Sequence, residues 1–272
     1  MATTEIQIQK AGFGQTMRRD AWWHQPVAVF LGLSAFIIYS TWAAFQGVHY
    51  THGPYLSPMY SPVFFGMEEQ AQGHALFGEA PPVWPSWLPY SPAFLILWAP
   101  AGFRLTCYYY RGAYYKAFWA DPPNCAVSEP RKKYRGENSL PLILQNVHRY
   151  FLYVALAFIV VLSIDAIKGF WFINPESGKG SFGVGVGSLV LVLNVILLGG
   201  YTMGCHSLRH LVGGIRDCIS KCSKPRQCAY DCVSCLNRGH MKWAWMSLVW
   251  VGFTDLYVRL CSMGIWTDFR IL

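Results

Sequence analysis

Charge is what this sequence has least of. Asp, Glu, Lys and Arg make up 13% of its 272 residues, against about 25% in an average soluble domain. Hydrophobic residues reach 53% and aromatics 17%, so an ordinary soluble globular domain is excluded and a membrane class is indicated. Lys and Arg are absent from the whole stretch between Gln46 and Ser86. No small-residue cleavage site follows the first apolar run, so that run reads as a retained helix and not a removed leader. No internal repeat is present, which argues against a transporter built from inverted halves. No basic stripe or recognition helix accompanies the positive charge, and nucleic acid is a poor partner.

What is present is a set of long apolar runs. A hydrocarbon core of about 30 Å needs roughly 20 apolar residues in helical form. Five segments qualify: 26–45, 90–110, 142–167, 184–207 and 244–263. The expectation is an all-α integral membrane protein, a single domain over residues 1–272 with five transmembrane helices. Lys10, Arg18 and Arg19 precede the first run, Arg111, Lys116, Arg131, Lys132, Lys133 and Arg135 follow the second, and Arg209, Arg216, Lys221, Lys224, Arg226, Arg238 and Lys242 separate the fourth from the fifth. Basic loops stay in the cytoplasm. The N-terminus is therefore expected inside the cell, the loop 46–86 outside, and the chain in the inner (plasma) membrane. The net charge of +8 mostly reflects this asymmetry, which suits anionic lipid or an acidic soluble partner.

Several smaller features carry structural expectations. Gly183, Gly185, Gly187, Gly199, Gly200 and Gly204 offer close approach to the fourth span, and Pro100 should kink the second. Trp22, Trp23, Trp171 and Trp243 fall at the interfaces. The Pro- and Tyr-rich outer loop is long enough to need its own packing on the helix ends; its His49, His52 and His74 with Glu68 and Glu69 read as surface residues before metal ligands. Asp165 and Lys168 read as a solvated pair at the outer end of the third span.

Ligand-type side chains gather at one depth. Cys107, His148, Cys205, His206 and His210 all fall in the cytoplasmic third of the expected bilayer. His206 and His210 share a helix face, one turn apart. Each alone is a satisfied interior residue, but together they suggest a cofactor. No His lies in the outer half of any span, which argues against two haems; one haem b, held by His148 with His206 or His210, is the alternative. Two Cys with two His is also the donor set of a Rieske-type [2Fe–2S] centre. Cys107 and Cys205 are then the thiolates, and His240 is a further candidate imidazole. The soluble Cys-x-His loops of such centres are missing.

Two more sets bear on chemistry. Arg104 and Asp255 are ionisable groups inside the spans, roughly 8 Å apart in depth, placed to pair or to serve a proton path. Tyr108, Tyr109, Arg111 and Trp243 ring the cytoplasmic boundary and suit a quinone head group as well as an interfacial belt. The loop 211–242 carries Cys218, Cys222, Cys228, Cys232 and Cys235. A zinc knuckle is one reading; reduced thiols packed on a partner is the other, since a second Cys-x-x-Cys is lacking.

The stretches PLILQNVHRYFLYVALAF, GCHSLRH, HMKWAW and FTDLYVRL resemble the single membrane-anchor subunit of actinobacterial succinate dehydrogenase, respiratory complex II, a likeness covering nearly the whole chain. Leu208-Arg209-His210 is similar to the Arg-His segment of cytochrome b anchors, but the place of their axial His is held by Met203 or a neighbour. The resemblance implies flavoprotein and iron–sulfur partners on the cytoplasmic face, succinate oxidation in the flavoprotein, and reduction of a quinone of the menaquinone type in or beside this subunit. A transporter or channel component, with Arg104 and Asp255 lining a path, is the reading from another class.

Overall fold

The computed structural model describes residues 12–66, 74–78, 87, 90–130, 140, 142–173, 177–214 and 223–272. Helix α1 runs His24–Gln46. Its Pro26 lies in the first turn, where no backbone donor is needed. Its end is set by Gly47 at φ +63, a left-handed C-terminal position that glycine adopts without strain. There a Cβ would stand 2.6 Å from the Tyr90 carbonyl oxygen.

The second apolar segment is not one helix. It forms α2 (Pro92–Ile96), α3 (Trp98–Thr106) and α4 (Tyr108–Trp119). Ser91 caps α2, its hydroxyl accepting from Ala93 N, with Pro92 in the first turn, the usual start signal. Where a kink was expected at Pro100, the structure has a restart: proline has no N–H for the Ile96 carbonyl, and the helix begins again at Trp98 with Pro100 in its first turn. The ladder bridges the gap through Leu97 N to Ala93 O and Ala101 N to Leu97 O.

A 3₁₀ turn, Leu142–Val147, leads into α5, His148–Lys168. The hairpin β3 and β4 (Trp171–Ile173 and Gly180–Phe182), numbered after the outer-loop strands β1 (Thr51–His52) and β2 (Tyr55–Leu56), joins α5 to α6, Val186–Met203. Then come α7 (His206–Gly213), α8 (Lys224–Arg238) and α9 (His240–Ser262). The chain is mostly helical, and among the described residues three stretches are long and apolar enough to cross a membrane: His24–Gln46, Ile143–Lys168 and Val186–Met203. Segmentation removes 90–110 from that set, while α9 is long enough but carries Lys242, Asp255 and Arg259.

Two compact units divide the chain: residues 1–35 with 105–146, and 36–104 with 147–272. In the first, the N-terminal arm pairs with the segment after α4. Gly14 N donates to Ser128 O and Ser128 N to Gln15 O, while Arg18 Nη1 and Asn124 Nδ2 donate to the carbonyls of Cys125 and Trp22. Phe30 packs on Phe118.

In the second unit α6 is central, packed along α5 and α9. Small residues permit close approach: a Cβ on Gly200 would lie 2.6 Å from the Trp243 ring of α9, and between α3 and α5 one on Gly102 would lie 2.3 Å from Phe151. Gly185 and Gly187 instead admit Tyr55 of the outer loop. That loop is folded onto the helix ends as its length requires. Tyr50, Leu56, Met59, Tyr60 and Val63 are buried with Ala43, Ala44 and Ala93, and Tyr50 stacks on Tyr60. His49 meets the Ser262 hydroxyl and His52 lies near the Tyr55 ring. Burial holds the His74 imidazole below its ordinary value. Among the described residues no three His, Cys, Asp or Glu side chains surround a single ion position; Glu68 and Glu69 lie outside those residues.

Candidate functional site

The chain breaks its helices at cysteines. Cys205 is a single extended residue between α6 and α7, at φ −67 and ψ 139. Cys107 holds the same place between α3 and α4, at φ −64 and ψ 130. Both are buried, at 2% and 3% exposure. An extended residue between two helices aims its side chain differently from a residue inside either one, so the interruption decides where each thiol points.

In the second unit, Cys205 meets His148, the first residue of α5. The imidazole Nε2 lies 3.0 Å from the thiol sulfur. Phe103, from the last turn of α3, stacks on the His148 ring with centroids 4.7 Å apart and planes at 8°. Phe103 meets Tyr201 edge-on at 5.5 Å, and Tyr201 stacks on His240, the first residue of α9, at 5.1 Å. His240 is within electrostatic reach of both His148 and His206. One end of this unit thus joins a buried thiol, two imidazoles and two aromatic rings, contributed by α3, α5, α6 and α9.

His206 and His210 are placed otherwise. Both are exposed, and their Nε2 atoms lie 3.0 Å apart. The shared helix face expected for them is present, but the structure turns it outward. Of the sequence candidates, His148 and Cys205 are brought into contact, and His240 joins them at the same end. Cys107 belongs to the first unit.

Arg104 does not pair with Asp255. Its Nη2 donates to Ser247 Oγ at 2.9 Å and its Nη1 to the Ala244 carbonyl at 3.3 Å, with the guanidinium 4.6 Å above the Tyr201 ring. Asp255 lies eight residues beyond Ser247, about 12 Å along the helix. Its cation is Arg259, one turn on, with Nε at 3.4 Å and side-chain exposures of 1% and 0% for Arg259 and Asp255. Tyr39 and Ser57 also donate to the Asp255 carboxylate, and Arg259 donates to the Val48 carbonyl over the Trp42 ring. The i, i+4 spacing of Asp255 and Arg259 was a readable pairing signal. Asp165, expected to be solvated with Lys168, is buried and accepts from the Ser61 hydroxyl, because the folded outer loop covers that end of α5.

The boundary aromatics are less uniform than a belt. Tyr108 is exposed with Arg111 over its ring, and Arg111 also donates to Gln145 Oε1. Tyr109 packs edge-on against Tyr110. Trp243 is packed against Gly200 of α6.

A family model of the actinobacterial succinate dehydrogenase subunit SdhC matches residues 24–264. The chain belongs to that family. Among solved structures, a chain of the Mycobacterium smegmatis Sdh1 complex in the apo form is similar to it, with a TM-score of 0.85 and 42% identity, over 100% of this chain and 98% of that one. No curated protein matches. Membership makes this SdhC-family chain a membrane subunit of a succinate dehydrogenase complex.

Sequence reading alone did not single out Phe103, Tyr201 or Arg259. Tyr201 lies one turn before Cys205, and Phe103 is beside Arg104, so helical spacing was the available signal. An aromatic residue in a membrane helix is ordinary, however, and only the contact with an imidazole gives it meaning. Within the cysteine-rich loop, Cys218 and Cys222 lie outside the described residues. Cys228, Cys232 and Cys235 fall on α8 and are exposed.

Proposed function

We propose that this chain anchors succinate dehydrogenase in the membrane, docked through its basic face to the flavoprotein and iron–sulfur subunits, and passes electrons to quinone through a Rieske-type [2Fe–2S] centre. The observation that carries the reading is the buried contact of Cys205 with His148, with His240 at the same end of the bundle. Part of the donor set stands at this end, one thiol and two imidazoles; such a centre takes two thiolates on one iron and two imidazoles on the other, so it needs two donors at each iron and not three around one. Cys205 supplies one thiolate; Cys107, which the sequence reading named for the other, has the same burial and backbone conformation and belongs to the first unit. His148 supplies one imidazole. His240 is preferred to His206 or His210 for the other because those two are exposed and bonded to each other.

When bound, the cluster supplies one-electron transfer at a potential raised by its imidazole ligands. Protein groups do the rest. Phe103 and Tyr201 fix the planes of the two imidazoles and exclude water from them. Helix starts at His148 and His240 hold the ligands on rigid elements. The thiol beside His148 Nε2 supports the iron–sulfur reading over a single haem b.

The deciding experiment is low-temperature paramagnetic resonance, with iron counting, on the purified complex. A rhombic signal of low average g, with features at high field apart from those of the iron–sulfur partner, lost in Cys205→Ser while dye-linked succinate oxidation continues, is the expected result. A sharp reduced α-band would replace the cluster with haem, and a wild-type complex with neither signal would end the relay reading.

A further inference from the structure

One pair of ligand-type side chains takes no part in the buried thiol–imidazole contact described above. His206 and His210 stand exposed on α7, with their Nε2 atoms 3.0 Å apart and their rings crossed at 85°. The i, i+4 spacing puts both side chains on one helix face, yet spacing alone leaves each ring free to point elsewhere. Here the two Nε2 atoms meet. The backbone that carries them is held by α8. Arg209, between the two in sequence, donates through Nε to Ser234 Oγ at 3.1 Å and through Nη2 to the Tyr230 hydroxyl at 2.9 Å. At the far end of α7, Gly213 admits the same tyrosine, whose ring would lie 2.5 Å from a Cβ there.

We propose that His206 and His210 form a site for one borderline divalent ion, Cu2+, Ni2+ or Zn2+, with its remaining positions open to water. Imidazole suits these metals. Bonds of about 2.0–2.1 Å to each nitrogen place neighbouring donors roughly 2.9 Å apart around a tetragonal ion and roughly 3.4 Å apart around a tetrahedral one. The observed separation lies between the two, so an ion enters with a ring movement of a few tenths of an ångström. A neutral imidazole has one proton to place. With that proton on Nδ1 of each ring, both Nε2 lone pairs turn to the metal, in exchange for the hydrogen bond that joins the rings. Among the described residues no third His, Cys, Asp or Glu completes the set. The site is therefore of the open kind and exchanges its ion with solution, unlike a closed four-ligand structural site. Mg2+ and Ca2+ take oxygen donors and are excluded as occupants. Because His206 follows Cys205 directly, a bound ion stiffens the helix start beside that thiol.

Cu2+ added to the oxidised complex, purified through a tag that contains no histidine, tests the site. The expected copper spectrum shows coupling to two nitrogens, and excess Mg2+ leaves it unchanged. Without any substitution, Zn2+ should protect both His206 and His210 from diethyl pyrocarbonate, as read by mass spectrometry of the α7 peptide. His206→Gln and His210→Gln should each weaken copper binding about a hundredfold, because the second anchoring bond is lost, with dye-linked succinate oxidation unchanged. No copper uptake by the wild-type complex, equal uptake by both variants, or modification of the two rings despite Zn2+ would each overturn the proposal. These measurements use the oxidised complex and do not read the iron–sulfur signal, so the metal site and the electron relay stand or fall separately.

Discussion

A buried imidazole acquires a role from its immediate partners. His148 faces a thiol and His240 an aromatic ring at the same end of the bundle, whereas His210 is exposed and bonded to His206. His240→Ala should therefore abolish the paramagnetic signal, and His210→Ala should leave it intact, as read in the dithionite- or ascorbate-reduced complex. The same logic applies to charge. Arg259 and Asp255 are buried together, and removing one partner of a buried pair costs about 3–5 kcal/mol because the other charge remains. Asp255→Asn should lower the thermal midpoint of the detergent-solubilised complex, and the double change Asp255→Leu with Arg259→Met should recover most of the loss. If the single variant melts like wild type, the pair is not structural. In that case a role in proton movement gains ground.

Helices in this chain are defined as much by their interruptions as by their runs. Pro100 restarts one, and Cys107 and Cys205 each stand extended between two. Uninterrupted helices would leave both thiols on the flanks of continuous cylinders, among their i−4 and i+4 neighbours. Close packing does the complementary work. Gly200 has the Trp243 ring where a Cβ would be, so Gly200→Val should cost about 1–3 kcal/mol through overpacking. The check is a lower thermal midpoint, with Gly199→Ala, whose nearest neighbour would be the flexible end of Met203 at 3.4 Å, as the mild control.

At the scale of the whole molecule, the five spans expected from the sequence would place the two ends of the chain on opposite sides of the membrane. With the basic loops inside, a green fluorescent protein fused to the N-terminus should fluoresce, and alkaline phosphatase fused after Leu272 should be active. Activity of the phosphatase at the N-terminus would invert the topology. Composition and charge placement determined the membrane class, because apolar runs and basic loops express transfer free energies that act residue by residue. The SdhC likeness was likewise legible, carried by contiguous stretches around His148, Cys205 and His240. Depth alone put Cys205 and His148 on one list, but it also put His206 and His210 there and offered Arg104 as the partner of Asp255. Only the tertiary structure separated these. Which imidazole turns inward, which carboxylate meets which cation and which rings stack on an imidazole depend on helix rotation, on breaks at single residues and on the outer loop folding over Asp165. These are outcomes of packing among segments distant in the chain, and local sequence pattern does not encode them.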